Sequence, residues 1–396
     1  MKRTIIWIAA LVVGAILGLL GIAWLDEVMI FVATIYTRLF QLLAVPTIVL
    51  AVITTFATFG SNGSGKIFGR TLTYTLLTTF AAAAVGAVLY VVIAPGYLPL
   101  EALSAATVPE ASASGPASYA DHLLSVIPNN IVRPFLEGNV LSLLLLAFAV
   151  GIGLSKLPES ENKAVVVKGL LGLQDLLFLL IRWLIWTLPL GIVAFSAQLS
   201  AQMSAGVVAD SLGKYVLVVL GGNIIQFFVV LPLFLLAKGL NPIRVLVKMM
   251  PAVLMALFTK SSAATLPVTM ETAEKRLGVK KNIARFVLPI CTTINMNGCA
   301  AFILVTSLFV MQQNSTELSL GTIFLWLLIS VVSAVGNAGV PMGCFFLTLS
   351  LMSGIGAPVA VLGIILPIYT IIDMVETAEN VWSDSCVAAA VDHDFA

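Results

Sequence analysis

Asp373, Glu376, Thr377, Asn380 and Asp384 stand at i, i+3, i+4, i+7 and i+11 near the C-terminus. On a helix, that spacing puts all five on one face. The stretches 364–372 before them and 387–391 after them hold no Lys or Arg. This argues for membrane depth and against a hydrated cytoplasmic amphipathic tail. Three carboxylates at that depth cost on the order of several kcal/mol unless they pair or coordinate a cation, so a bound ligand is the economical explanation.

Further upstream, Thr292-Thr293-Ile294-Asn295-Met296-Asn297-Gly298-Cys299 interrupts another apolar run. Unwinding there frees carbonyls that, with the Asn amide oxygens, suit an alkali cation. A helix kink packed by Asn–Asn hydrogen bonds explains the same residues equally well. Ser261-Ser262 and Gly339-Val340 sit where helix-end N–H groups would meet an anion such as an amino-acid carboxylate. Turn chemistry alone also favours Ser and Gly at such tips. Thr78-Thr79 is weaker still, because hydroxyl bonding to the helix's own backbone accounts for most such pairs. An enzyme is not expected. A serine nucleophile at 261 or 262 needs a base, the only histidines are His122 and His393, and the adjacent Lys260 makes a poor dyad partner.

The elements that must position these residues follow from composition. Of 396 residues, 60% are hydrophobic and 10% charged, against roughly 25% charged in soluble domains. Mean hydropathy is +1.09. Those values exclude a disordered chain, a nucleic-acid partner met through a basic face, and a water-soluble enzyme. Cys291, Cys299, Cys344 and Cys386 show no CxxC or Cys/His spacing, so neither a disulfide framework nor a zinc site is expected. The apolar run 5–25 is too long for a signal-peptide core and lacks a small-x-small site before Asp26-Glu27, so it reads as the first spanning helix.

Apolar runs at 5–25, 29–59, 72–94, 140–157, 170–199 and 215–237 make six candidate crossings. The stretches 249–270, 284–313, 322–356 and 357–391 are instead broken by Ser, Asn, Gly and Pro clusters, a pattern tolerated only where a helix lines a cavity or is buried in protein. Cytoplasmic loops collect Lys and Arg. Lys2 and Arg3 set the N-terminus inside, and the loops 60–71, 156–169 and 238–248 that should then be inside are all basic. Segment 249–274 breaks the alternation, because Lys275, Arg276, Lys280, Lys281 and Arg285 follow it. Both its ends belong inside, making it a re-entrant hairpin. Segment 322–356, flanked by loops without Lys or Arg, reads as a second hairpin entering from outside. Fifteen of the twenty basic residues thereby mark the cytoplasmic face. The expected fold is an all-α polytopic membrane protein with eight transmembrane helices and two opposed re-entrant helical hairpins, related as inverted repeats. That is the usual construction of a secondary-transporter binding site. A cation channel is the rival from another class, since oxygen-lined cation sites serve channels too.

In this order, the motifs resemble the dicarboxylate/amino acid:cation symporter family, the glutamate-transporter homologues. Thr259-Lys260-Ser261-Ser262-Ala263-Ala264-Thr265-Leu266-Pro267 looks like the family's serine-rich first tip, and Asn295-Met296-Asn297-Gly298-Cys299 like its Asn-Met-Asp-Gly-Thr signature. Gly336-Asn337-Ala338-Gly339-Val340-Pro341 resembles the second tip. The resemblance implies a multi-pass protein of the cell (inner or plasma) membrane, with both termini cytoplasmic. It also implies a homotrimer in which residues 1–214 are mainly scaffold, the third helix apart, and 215–396 mainly a transport domain. That domain would hold hairpin 1 (249–274), helix 7 (284–313), hairpin 2 (322–356) and helix 8 (357–391). By the same resemblance, Ser261, Ser262 and Val340 meet the substrate carboxylate, and Asp373 holds its ammonium beside Thr377, Asn380 and Cys299. One sodium ion would draw on Cys291, Asn295, Asn380 and Asp384, a second on Thr293, Met296, Ala334, Val335 and Asn337, and a third on Thr78, Thr79, Asn295 and Asn297.

Two departures bear on cargo. Glu376 stands where acidic-substrate members carry an arginine, and like charge there disfavours glutamate and aspartate. Glu-Thr-Ala-x-Asn at this place is similar to the serine/threonine-type sodium symporters, so a small neutral amino acid is the expected substrate, with a cationic one as runner-up. Asn297 replaces the signature's Asp, which points to fewer coupled sodium ions or partial use of protons.

Overall fold

A computed structural model describes residues 2–59, 65–98, 127–137, 140–202, 206–314, 316, 318–335, 337, 342–357 and 359–395. Among them all regular structure is helical and there is no strand. Lipid leaves backbone groups no other partner, so a chain this apolar must satisfy them within helices.

The N-terminal part contains α1 (Lys2–Leu19), α2 (Ala23–Phe59), α3 (Gly65–Ile93), the short α4 (Arg133–Glu137), α5 (Val140–Lys156) and α6 (Glu161–Gln202). Helices α1 and α2 both pack on α6, and α2 also packs on α5. The α1–α6 approach depends on small residues. A Cβ on Gly14 would lie 2.3 Å from the Val193 carbonyl oxygen and one on Gly18 2.0 Å from that of Ala197, so no larger residue fits either place. Without a hydrophobic force between helices in lipid, such close backbone packing is what holds them together. Helix α6 begins well before the apolar run 170–199, and the stretch carrying Lys163 and Lys168, expected as loop, is instead its first turns. Polar residues such as these are compatible with helix once it has left the hydrocarbon.

Helix α7 (Gly206–Ile225) continues through a π-turn at Gln226–Val230 into α8 (Leu231–Ala237). Next come α9 (Pro242–Thr259), capped by the Asn241 side chain, which accepts from the Arg244 N–H at 3.0 Å, and α10 (Ser262–Thr272). The remaining helices are α11 (Lys281–Ile294), α12 (Asn297–Gln313), α13 (Leu320–Ala334), α14 (Gly343–Gly354) and α15 (Ala360–Asp394). Helix α3 departs from its sequence neighbours and packs on α12, α7 and α13, whereas α15 packs against α9, α11 and α12.

Three described stretches are long and apolar enough to cross a membrane: Lys66–Ile93, Asp210–Ala237 and Lys281–Gln313. The apolar window of the last is wholly enclosed by other parts of the molecule. That enclosure lets the chain break between α11 and α12 at Asn295 and Met296 without exposing backbone to lipid. At one end of the bundle, Asp394 pairs with Lys238 Nζ at 2.9 Å and lies 3.9 Å from Arg70 Nε, and the Lys280 N–H donates to Asp392 at 3.1 Å. Arg70 from the start of α3, Lys238 from the end of α8 and Lys280 from the turn before α11 thus meet the C-terminal end of α15.

Candidate functional site

Helices α9 and α10 turn back on each other at Lys260, a non-glycine residue in the left-handed region at φ 55°. Ser261 then starts α10, its Oγ accepting from the Ala264 N–H at 3.1 Å. Lys260 is buried and its Nζ donates to the Thr370 carbonyl at 2.7 Å, tying this turn to α15. Met342, before α14, is likewise left-handed at φ 64°. Strained, non-glycine turns of this kind concentrate at ligand clamps and gates, where surrounding contacts over-determine them.

Between these turns lies a small polar pocket. Ser262, Met296, Cys299, Asn337, Cys344, Asp373, Glu376, Thr377, Asn380 and Lys260 line it. The five polar residues read from α15 do share its inward side, and none is more than 6% exposed. Asp373 accepts from the Met342 N–H (3.2 Å), and Tyr369 reaches both Asp373 (3.5 Å) and Glu376 (3.2 Å) through its hydroxyl. The second carboxylate oxygen of Glu376, Oε1, has no hydrogen-bond partner among the described residues. Thr377 donates to the Asp373 carbonyl at 2.7 Å, and Asn380 Oδ1 accepts from the Gly298 N–H at 3.0 Å.

The break in the α11–α12 segment makes a second cluster. Asn295 Nδ2 donates to Asp384 Oδ1 and to Ser383 Oγ, both at 2.9 Å, while its Oδ1 accepts from Thr78 at 3.2 Å. Asn297 takes the neighbouring pair, donating to Ser383 at 2.6 Å and accepting from Thr79 at 2.8 Å. The two asparagines do not bond each other in this arrangement. Each instead bridges α3 to α15, which goes beyond a self-packed kink. The Cys291 carbonyl accepts from the Asn295 N–H at 2.8 Å, the Thr293 hydroxyl caps back to Ile290, and the Ala334 carbonyl accepts from the Asn337 N–H at 3.1 Å. Val335 is half-buried at the end of α13. Val340 lies outside the described residues, and Ser261 caps its helix without lining the cavity.

One expectation is corrected. Cys299 and Cys344 are joined as a disulfide, with Cα atoms 5.4 Å apart. Their separation of 45 residues gave no local spacing signal, because the pair forms only when α14 folds down on α12. Asn337 Nδ2 donates to both sulfurs, at 2.9 and 3.2 Å. Sequence reasoning also missed Tyr369, one turn before Asp373 on the same face, and Glu379, a fourth buried carboxylate of α15. Helical spacing marks the first, whereas the second faces away from the cavity.

The neutral amino acid transporter B(0) of Oryctolagus cuniculus is 31% identical over 397 residues, covering 92% of this chain and 73% of that protein. The neutral amino acid transporter A of Homo sapiens is 30% identical over 399 residues, covering 90% and 74%. The excitatory amino acid transporter 3 of Oryctolagus cuniculus is 28% identical over 436 residues, covering 96% and 82%. Across residues 4–394, nearly the whole chain, the sequence fits a family of transporters rather than enzymes, and the chain belongs to it: the sodium:dicarboxylate symporter family.

Proposed function

We propose that the chain is a sodium-coupled symporter of a small neutral amino acid, serine- or threonine-like, in the cell membrane. The observation that carries this reading is Glu376. It lines the small cavity with an unpartnered carboxylate oxygen, and no arginine lines that cavity among the described residues. An acidic side chain placed there would meet like charge, whereas a hydroxyl would find an acceptor. Asp373 holds the α-ammonium with Thr377 and Asn380 beside it and Cys299 at the wall. The turn at Ser261-Ser262 and the segment containing Val340 receive the carboxylate.

Sodium is the co-substrate. Asp384, Asn380, Asn295 and the Cys291 carbonyl form one site. Thr293, Met296, Ala334, Val335 and Asn337 form a second, and Thr78, Thr79 and Asn297 with Asn295 a weaker third. An oxygen must face the ion, so the Asn295 amide turns its Oδ1 from Thr78 toward Asp384 when sodium enters.

Eight crossings and two re-entrant hairpins, α9–α10 and α13–α14, make the inverted frame, with both termini cytoplasmic. Residues 1–214 act mainly as the scaffold of a homotrimer, and 215–396 mainly as a transport domain that slides past it in an elevator movement. The packing of α1, α2, α5 and α6 among themselves supports this division, as does the packing of α3 on α7 and α12.

Uptake of a radiolabelled amino-acid panel into proteoliposomes tests the reading. Sodium-driven accumulation of serine or threonine, competed by neutral amino acids and not by glutamate, is the expected result. Ion flux without amino-acid movement would replace it with a channel.

A further inference from the structure

Glu379 belongs to neither cluster described above. It is 1% exposed, neither carboxylate oxygen has a hydrogen-bond partner among the described residues, and no basic side chain there forms an ion pair with it. Facing it is Asn223 of α7, also 1% exposed, whose Oδ1 is likewise unpartnered. The orientation of that amide is fixed by its other end, because Nδ2 donates to the Val219 carbonyl at 2.8 Å. Exchanging the two atoms would set oxygen against oxygen at Val219. Gly298 shows how the two groups meet. A Cβ on it would lie 2.7 Å from Asn223 Oδ1 and 2.7 Å from Glu379 Oε2, so these oxygens are no more than twice that distance apart, across a gap that only glycine leaves open. One turn on from Asn223, at the start of the π-turn, Gln226 is held by Nε2 donating to the Thr78 carbonyl at 3.1 Å, and its Oε1 is also buried without a partner among the described residues.

Acceptors that converge without a donor, one of them a carboxylate, are costly unless something positive sits among them. We propose that Glu379 and Asn223 hold a monovalent cation against Gly298, at a site distinct from the substrate cavity and from Asp384. One carboxylate with neutral amide oxygens balances a single positive charge, whereas a divalent ion asks for more anionic oxygens. For the identity of the ion, sodium, the inference rests on the symport reading. The site also supplies a carboxylate beside the signature segment in which Asn297 carries none. Ser383, one turn beyond Glu379, accepts from the Asn297 amide.

Equilibrium dialysis of the purified full-length protein against radioactive sodium, with ionic strength held by N-methylglucamine chloride, counts saturable ions per protomer without any uptake. Glu379→Gln should bind one sodium ion fewer than wild type, Asp384→Asn should lose a different one, and the double variant should lose both. Equal counts for Glu379→Gln and wild type would overturn the site while leaving sodium coupling intact. Absence of saturable sodium on the wild type would overturn both this site and the symport reading. Melting temperatures guard against a merely structural role. Without sodium, Glu379→Gln should melt above wild type because an uncompensated buried charge is gone, and saturating sodium should close or invert that gap. A shift in the same direction and of the same size in both buffers would reject the proposal.

Discussion

The backbone N–H of Met342 donates to Asp373 Oδ2 at 3.2 Å, so the carboxylate that would receive a ligand's ammonium is already engaged by the turn before α14. A ligand at Asp373 therefore competes with, or is clasped by, the turn before α14. Replacing Asp373 with Asn keeps the shape and removes the charge. Loss of a charge-assisted hydrogen bond costs about 1.5–3 kcal/mol, and amino-acid affinity is expected to fall roughly 10- to 100-fold. Isothermal titration with serine at saturating sodium measures this, and an unchanged affinity would remove Asp373 from the ligand.

Glu376 controls what the cavity rejects. Glu376→Arg exchanges like-charge repulsion for attraction, a change worth several kcal/mol in suppressing wrong partners. Sodium-driven uptake of neutral amino acids should weaken, and aspartate or glutamate should become a substrate. The milder Glu376→Gln should relax exclusion of acidic amino acids without creating preference for them. Competition of acidic and neutral amino acids for labelled serine reads all three proteins on one scale, and no change in rank would sink the assignment.

Cys299 on α12 and Cys344 on α14 link these two helices at the cavity wall. If α14 must part from α12 to admit cargo, an intact link stops transport and two thiols permit it. In a background with Cys291 and Cys386 replaced by serine, oxidation by glutathione disulfide, which is itself reduced to glutathione, should abolish uptake. Dithiothreitol should restore it. Cys344→Ser should be indifferent to both reagents. Full uptake by protein whose link is verified by mass spectrometry would show that this contact stays closed throughout the cycle.

What could be read from sequence divides along physical lines. The face formed by Asp373, Glu376, Thr377, Asn380 and Asp384 was legible because helix period is a local property, and the turn at Lys260-Ser261 because charge placement set that segment apart from a simple crossing. Asn295 and Asn297 were legible as a break but not in role. Whether they pack on each other or bridge to Thr78, Thr79 and Ser383 depends on α3 and α15 arriving from remote parts of the chain. The Cys299–Cys344 pair and the Glu379–Asn223 approach were invisible for the same reason. Each joins elements whose contact no periodicity records.

At the cytoplasmic end proposed for α15, the Tyr74 hydroxyl and then Asp394 raise the pKa of Lys238. Burial alone would push Asp394 up, but the hydrogen bonds from Tyr74 and Lys238 and the charges of Lys238 and Arg70 outweigh it and hold that carboxyl below its usual value. The signs are opposite. The Lys238 contribution is complete below the unfolded lysine value of roughly 10.4 and is lost as pH rises through the higher folded value. The Asp394 contribution is complete above the unfolded aspartate value of roughly 3.9 and is lost as pH falls through the lower folded one. Between those limits the cluster should contribute a constant amount, about 1 kcal/mol or less for partly exposed pairs. Lys238→Met should therefore lower the melting temperature by a nearly constant margin from pH 5 to 9, and the margin should shrink as Asp394 protonates in acid and as salt rises. A margin that instead stays constant as Asp394 protonates would mean that Asp394 is held by Arg70 and Tyr74 and owes nothing to Lys238.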